Sequence, residues 1–218
     1  MLMRCHLHGG IAFITRIKTT ILALSSEHFI VALLVGAIVL SLFAAWHDIR
    51  TRRIPNRLLK WGILYFLAIF IAMAFLLPIA SVFKGFLFAL LGMVLGGAFL
   101  YLPYQYRQVG AGDVKLMMVY GLLLGPKGVI LALLNGAIVG GIWALALAWR
   151  IGGLKHMFYN MKFMARTVWL SGGKDMGWDL RSEGAIAMPY GVALAAGAIM
   201  VCVWQLNLHL GRLFGVDA

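Results

Sequence analysis

Acidic side chains are scarce in this chain, and two of them stand where a pair could do chemistry. Of 218 residues only seven are acidic: Glu27, Asp48, Asp113, Asp175, Asp179, Glu183 and Asp217. Carboxylates kept near a bilayer mark cation sites, proton relays or acid–base centres, because each is expensive to hold there. Glu27 and Asp217 flank the apolar part of the chain, and Asp175, Asp179 and Glu183 fall in a polar loop. Asp48 and Asp113 remain. Asp48 directly follows the first span, in Trp46-His47-Asp48-Ile49-Arg50, and Asp113 immediately precedes the short fourth helix, in Gly110-Ala111-Gly112-Asp113-Val114-Lys115. Two carboxylates at one membrane surface can bind a cation, relay protons or share a proton for acid–base work.

The flanking residues suit a site. Gly110 and Gly112 permit unusual backbone angles or close approach by another segment. Asp113 stands at a helix start, where free N–H groups and the helix dipole stabilise an N-cap carboxylate and favour its ionised form. Beyond Asp48, Ile54-Pro55-Asn56 interrupts a helix, since a residue before proline avoids the helical region. Simpler readings compete at each position. Asp48 can pair with Arg52 one turn later, Asp113 can merely cap its helix, and Met188-Pro189-Tyr190-Gly191 can be a proline kink. His47 reads as a solvated interfacial histidine, and Lys115 as a side chain facing headgroups or water. Cys5-His6-Leu7-His8 has metal-binding residue types, but its spacing is tight and no further cluster accompanies it, so no metal site and no cofactor are expected.

The elements that must position the two aspartates are membrane helices. Hydrophobic residues make up 63% of the chain, charged residues 12%, and the mean hydropathy is +0.94. An ordinary globular domain is about 45–50% apolar and about 25% charged. So much apolar surface excludes a soluble fold, and it excludes disorder equally. With only two cysteines, Cys5 and Cys202, no disulfide scaffold or cysteine-rich zinc module is available. The net charge of +12 fits basic loops facing anionic lipid, without any nucleic-acid partner.

Uncharged runs cover 29–46, 61–80, 85–103, 129–149 and 184–206, with a sixth, shorter run at 116–124 that Gly125-Pro126 stops. Each long run spans roughly 27 Å or more, enough to cross a hydrocarbon core of about 30 Å. The expected fold is all-α, with about six transmembrane helices of which the fourth is short. If the chain crosses at each run, the loops 47–60, 104–115 and 150–183 share one side and carry thirteen Lys and Arg, against six elsewhere. The positive-inside rule makes that side cytoplasmic and places both aspartates there. Residues 1–28 are expected as a tail or an interfacial helix, with Ile11, Ile14, Ile17, Ile21 and Leu24 near one face. A membrane-embedded domain then occupies 29–206 and a tail 207–218.

Asp48 with Arg50 and Ile54-Pro55-Asn56, then Gly110-Ala111-Gly112-Asp113 with Lys115, then Pro189-Tyr190-Gly191, together resemble the type IV prepilin peptidases. These are membrane aspartic proteases of the GxGD type. The resemblance covers the chain from about Phe29 to Leu206. It implies that Asp48 and Asp113 are the catalytic pair, with Arg50, Pro55, Asn56, Gly110, Gly112, Lys115, Pro189, Tyr190 and Gly191 in supporting positions. It further implies cleavage of prepilin or pseudopilin leaders at the cytoplasmic face of a bacterial inner membrane, after a glycine that precedes the substrate's hydrophobic helix. Longer relatives carry a four-cysteine zinc segment, and some methylate the new N-terminus. No cysteine stands in a cytoplasmic loop here, so the chain is similar to the short peptidases of Tad/Flp pilus systems, and methylation is not expected.

The partners implied are a substrate with a basic leader and a hydrophobic helix, pilus assembly or secretion machinery, and membrane lipid. The alternative is a small transporter or proton- or cation-coupled channel using the same acids, which calls for carboxylates near mid-bilayer. A non-catalytic assembly protein would need neither aspartate. Serine and zinc hydrolase motifs are missing, and Leu170-Ser171-Gly172-Gly173 has no accompanying P-loop.

Overall fold

Prolines and glycines decide where the apolar runs stop being helix. The computed structural model describes residues 2–106, 108–150, 159, 161–163, 166–167, 169–170 and 190–214, with side chains from Ser26 to Gly211 within those stretches. Helix α1 spans Leu2–Thr51, α2 Asn56–Leu76, α3 Ile79–Gln105, α4 Ala111–Arg150 and α5 Tyr190–Phe214. All five are long and apolar enough to cross a membrane, and no strand occurs among the described residues. The chain is an all-helical, multi-pass membrane protein.

Several boundaries differ from the sequence expectation. The run 61–80 is not one helix. Pro78 holds Leu77 extended (φ −115°, ψ 156°), so α2 ends at Leu76, and the Pro78 carbonyl caps the start of α3 by accepting from Ser81 and Val82. In the other direction α2 begins at Asn56, because Pro55 supplies a helix start and Arg57 and Lys60 project outward as exposed side chains. Only residues 52–55 separate α1 from α2. Residues 2–28 are helical and join the first span without a break. Of the loop 151–183 only 159, 161–163, 166–167 and 169–170 are described, all of them helical, and Arg107 and Pro189 lie outside the described residues.

The short fourth run is the first limb of α4. At Gly125 the backbone leaves the helical region (φ 69°, ψ −177°), a conformation that glycine alone adopts without strain, and Pro126 then starts a second limb. The chain turns back there. A Cβ placed on Gly96 of α3 would meet both the Met117 carbonyl, at 2.3 Å, and the Val129 side chain, at 3.1 Å. Residues twelve apart therefore lie side by side. The first limb, 111–124, is only about 21 Å long, yet Leu116, Met117, Val119, Tyr120, Leu122 and Leu123 are all buried. It is the central helix of the bundle, shielded by its neighbours as a short span must be.

Small residues let the backbones touch. A Cβ on Gly92 would lie 2.2 Å from the Gly121 carbonyl oxygen, and one on Gly121 would lie 2.1 Å from that of Gly92. Lipid gives no hydrophobic drive to helix association, so such close contact supplies the packing energy. On α1 the buried residues include Leu34, Ala37, Ser41 and Ala44, again mostly small, and α1 packs more extensively against α5 than against any other helix. Helix α2 sits at the periphery, held by Leu59, Phe66 and Phe70 and by the Tyr65 hydroxyl, which donates to the Ala32 carbonyl at 2.6 Å.

Gly92→Ala inserts a methyl group against backbone, where no rotamer change relieves it. Overpacking of this kind costs about 1–3 kcal/mol, so thermal unfolding in detergent is expected several degrees below wild type. Gly141→Ala, with nothing within 4 Å of the new Cβ, leaves the transition unchanged.

Candidate active site

Asp48 is the last residue of the buried α1 stripe, four positions after Ala44, and is only 6% exposed. A carboxylate so placed needs donors. It finds one at the start of α5, whose first amides have no partner within their own helix. The Val192 N–H donates to Asp48 Oδ2 at 3.1 Å. Asp48 thus caps α5 from another helix, where the positive end of the helix dipole also favours negative charge. Glycine at residue 191 leaves room for this contact, since a Cβ there would stand 2.8 Å from Asp48 Oδ2 and 3.2 Å from Ile54 Cδ1 and would push the carboxylate aside.

Asp113 is held differently. Helix α4 begins at Ala111, with the Gly110 carbonyl accepting from the Asp113 and Val114 amides at 3.1 and 3.4 Å. Asp113 is therefore not the N-cap expected from the sequence. It occupies the third helical position and reaches back, Oδ2 accepting from the Gly110 N–H at 3.2 Å, as the acidic member of a capping box does. Two carboxylates 65 residues apart are thereby brought to the same end of the bundle, close enough to act on each other as charges. Tyr190, the first residue of α5, also lies within electrostatic reach of Asp113.

The Ile54-Pro55-Asn56 segment fits between these elements. The Ile54 Cβ would be 3.2 Å from a Cβ on Gly112, and its Cδ1 3.2 Å from a Cβ on Gly191. Among the site glycines the need is for close approach, and neither Gly110 nor Gly112 adopts a positive φ. Arg52 does (φ 51°), which ends α1 and turns the chain toward Ile54, while its N–H donates to the Asp48 carbonyl at 2.8 Å. The Arg52 charge acts on the Asp48 carboxylate, but no contact ion pair forms between them. Asn56 accepts from Lys115 Nζ at 3.3 Å, tying α2 to α4.

Arg50 stands apart. Two residues after Asp48 on the same helix, it points to the opposite side and lies over the Trp46 ring, 4.0 Å from its centroid. The structure thus brings together Asp48, Asp113, Gly110, Gly112, Tyr190 and Gly191, with Pro55, Asn56 and Lys115 alongside. It leaves Arg50 on the outer face, and Pro189 lies outside the described residues. Sequence reasoning passed over the Val192 amide, which carries no side-chain signal, and Ile54 as the wedge, although its apolar side chain before Pro55 was in plain view. Among the described residues no three His, Cys, Asp or Glu side chains converge as a metal site would require.

Asp48→Ala removes the cap from α5 and is expected to lower stability in detergent by about 1 kcal/mol. Asp48→Asn costs less, because the carboxamide oxygen still accepts from the Val192 N–H. Equal transitions for the alanine variant and wild type would contradict the cap.

No curated protein and no solved structure matches this chain. A family model does: that of the type IV leader peptidase family aligns with residues 34–145, just over half of the chain. The matched stretch contains both Asp48 and Asp113, with the turn after α1 and the Gly-Ala-Gly that leads into α4. On that match the chain belongs to the type IV leader peptidase family.

Proposed function

We propose that this protein is an aspartic endopeptidase that removes the leader from prepilin-like substrates, with Asp48 and Asp113 as its catalytic pair. The observation that carries the reading is their convergence. The end of α1 and the start of α4 each contribute one carboxylate to the same end of the bundle, beside the first turn of α5. Two facing carboxylates hold one proton between them and titrate as a unit. Each accepts one amide N–H, Asp48 from Val192 and Asp113 from Gly110, but the Arg52 charge also acts on Asp48, which offsets the preference that the helix start alone gives to Asp113. Asp48 is accordingly the member that carries the negative charge and takes a proton from the attacking water. Asp113 carries the shared proton, hydrogen-bonds the scissile carbonyl oxygen, and then helps protonate the leaving amine.

The surroundings support the same reading. Both acids sit at helix ends and not at mid-bilayer, which disfavours a transport pathway. Arg50, Arg52, Arg53, Arg57, Lys60 and Lys115 cluster at that end, as the positive-inside rule asks of a cytoplasmic face in a bacterial inner membrane. In this reading the substrate's hydrophobic helix approaches through the bilayer while its basic leader stays cytoplasmic, and cleavage follows the glycine before that helix. A short peptidase of the Tad/Flp kind, working beside pilus assembly machinery without methylating its product, fits the few residues between α1 and α2. Asn56, Gly110, Gly112, Tyr190 and Gly191 shape the site, and the unit that carries it is 29–206.

The test is co-expression of a prepilin from the same genome with wild type, Asp48→Asn and Asp113→Asn, at matched protein levels. Both variants keep a hydrogen-bonding oxygen in place of the carboxylate, so the fold is preserved while the proton chemistry is lost. Leader removal is expected to fall by about 10²–10⁴-fold in each, and cleavage that survives either substitution overturns the dyad. Gly191→Ala, which pushes against Asp48 Oδ2, is expected to reduce cleavage by on the order of tenfold or more.

A further inference from the structure

We propose that the groove between α2, α3 and the first limb of α4 is a binding site for an anionic phospholipid. It holds about 370 Å³ in a cleft that is open along one side, and its polar residues Asn56, Lys60 and Lys115 stand at the same end of the bundle as Asp48 and Asp113. Its mouth carries Lys60 and Asn56 from α2 and Lys115 from α4, and its walls are apolar, with Ile63, Met93 and Leu122 among them. Asn56 and Lys60 are one turn apart on α2, so they face the same way. Lys115 donates to Asn56 Oδ1 and has further donors to offer. Neither lysine forms an ion pair with a carboxylate among the described residues, and no acidic side chain lines the groove.

The two ends of the groove call for different chemistry. From Lys115 to Leu122, and in parallel from Asn56 to Ile63, the walls run about 10 Å along the helix axes, away from the charged mouth toward the bilayer interior. A free anion would satisfy the ammonium groups and leave the apolar walls empty. An uncharged acyl chain would fill the walls and leave two ammonium groups without a counter-charge. An amphiphile with a negatively charged phosphate head and an acyl chain answers both, and basic residues at this depth attract anionic headgroups. The lipid would then flank the aspartate pair on its α2 side, with its headgroup between α2 and α4.

The experiment uses the purified full chain in nanodiscs of phosphatidylcholine and phosphatidylglycerol, with native mass spectrometry of the lipid that stays bound after release. Wild type is expected to retain phosphatidylglycerol over phosphatidylcholine by on the order of tenfold. Lys60→Gln with Lys115→Gln together should abolish that preference. Ile63→Trp, at a position 41% exposed and therefore tolerant of bulk, should block the groove and reduce retention of both lipids. Lys84→Gln with Lys127→Gln, at the opposite end of the bundle, should change nothing. The proposal is overturned if the preference survives in the Lys60→Gln, Lys115→Gln variant or if Ile63→Trp leaves retention of both lipids unchanged. It is overturned equally if the Lys84 and Lys127 pair matters as much as the groove lysines, or if wild type shows no preference.

Discussion

The contact between the Asp48 carboxylate and the Val192 amide at the start of α5 is the interaction on which the rest of the arrangement depends. Within a bundle of low polarity, an acid without donors and a helix start without acceptors are each costly. Here each satisfies the other. The contact demands that α1 and α5 approach closely, which the buried stripe of Ala37, Ser41 and Ala44 permits. Glycine at position 191 leaves the carboxylate room beside the helix start. Once Asp48 is anchored there, Ile54 fills the space between Gly191 and Gly112, and Gly112 brings Asp113 with it. The site is assembled from contacts among three helix ends, none of which suffices alone.

The second constraint is the bilayer's intolerance of unpaired backbone. A chain reversal inside the membrane exposes amide groups, and such breaks survive only where protein buries them. Gly125 and Pro126 are both buried, and the limb that precedes them runs through the middle of the bundle against the glycines of α3. That limb need not match the bilayer thickness because it meets little lipid. Its shortness has a consequence for chemistry, because the close packing of Gly92 against Gly121 holds it against α3 about two turns beyond Asp113. Asp113, in its first turn, inherits that precision.

Much of this was legible in the residues, and the failures have physical causes. The apolar runs located the spans, and the scarcity of acids singled out Asp48 and Asp113 before any geometry was known. Hydropathy could not see the boundary at Leu77, because leucine and proline both read as apolar while Pro78 ends a helix by sterics. It also placed the start of α2 too late, since Arg57 and Lys60 are helical residues that point outward. Asp113 read as an N-cap because propensity marks a neighbourhood and not a position, whereas the Gly110 carbonyl sets the actual start. Arg50 was associated with the site by the family resemblance, and helical geometry turns it away. That Asp48 caps a helix 144 residues later could not be foreseen, because the donor is a backbone amide.

The claim at the centre of this account is that Asp48 and Asp113 share one proton and need it. The most direct measurement is the pH dependence of kcat/KM for leader cleavage by the purified wild-type protein in lipid. A shared proton predicts a bell, with activity lost on the acid side when both carboxylates are protonated and on the basic side when both are ionised. Activity that rises to a plateau and stays there across the basic range would show that no protonated carboxylate is required, and would contradict the pair as the catalytic unit.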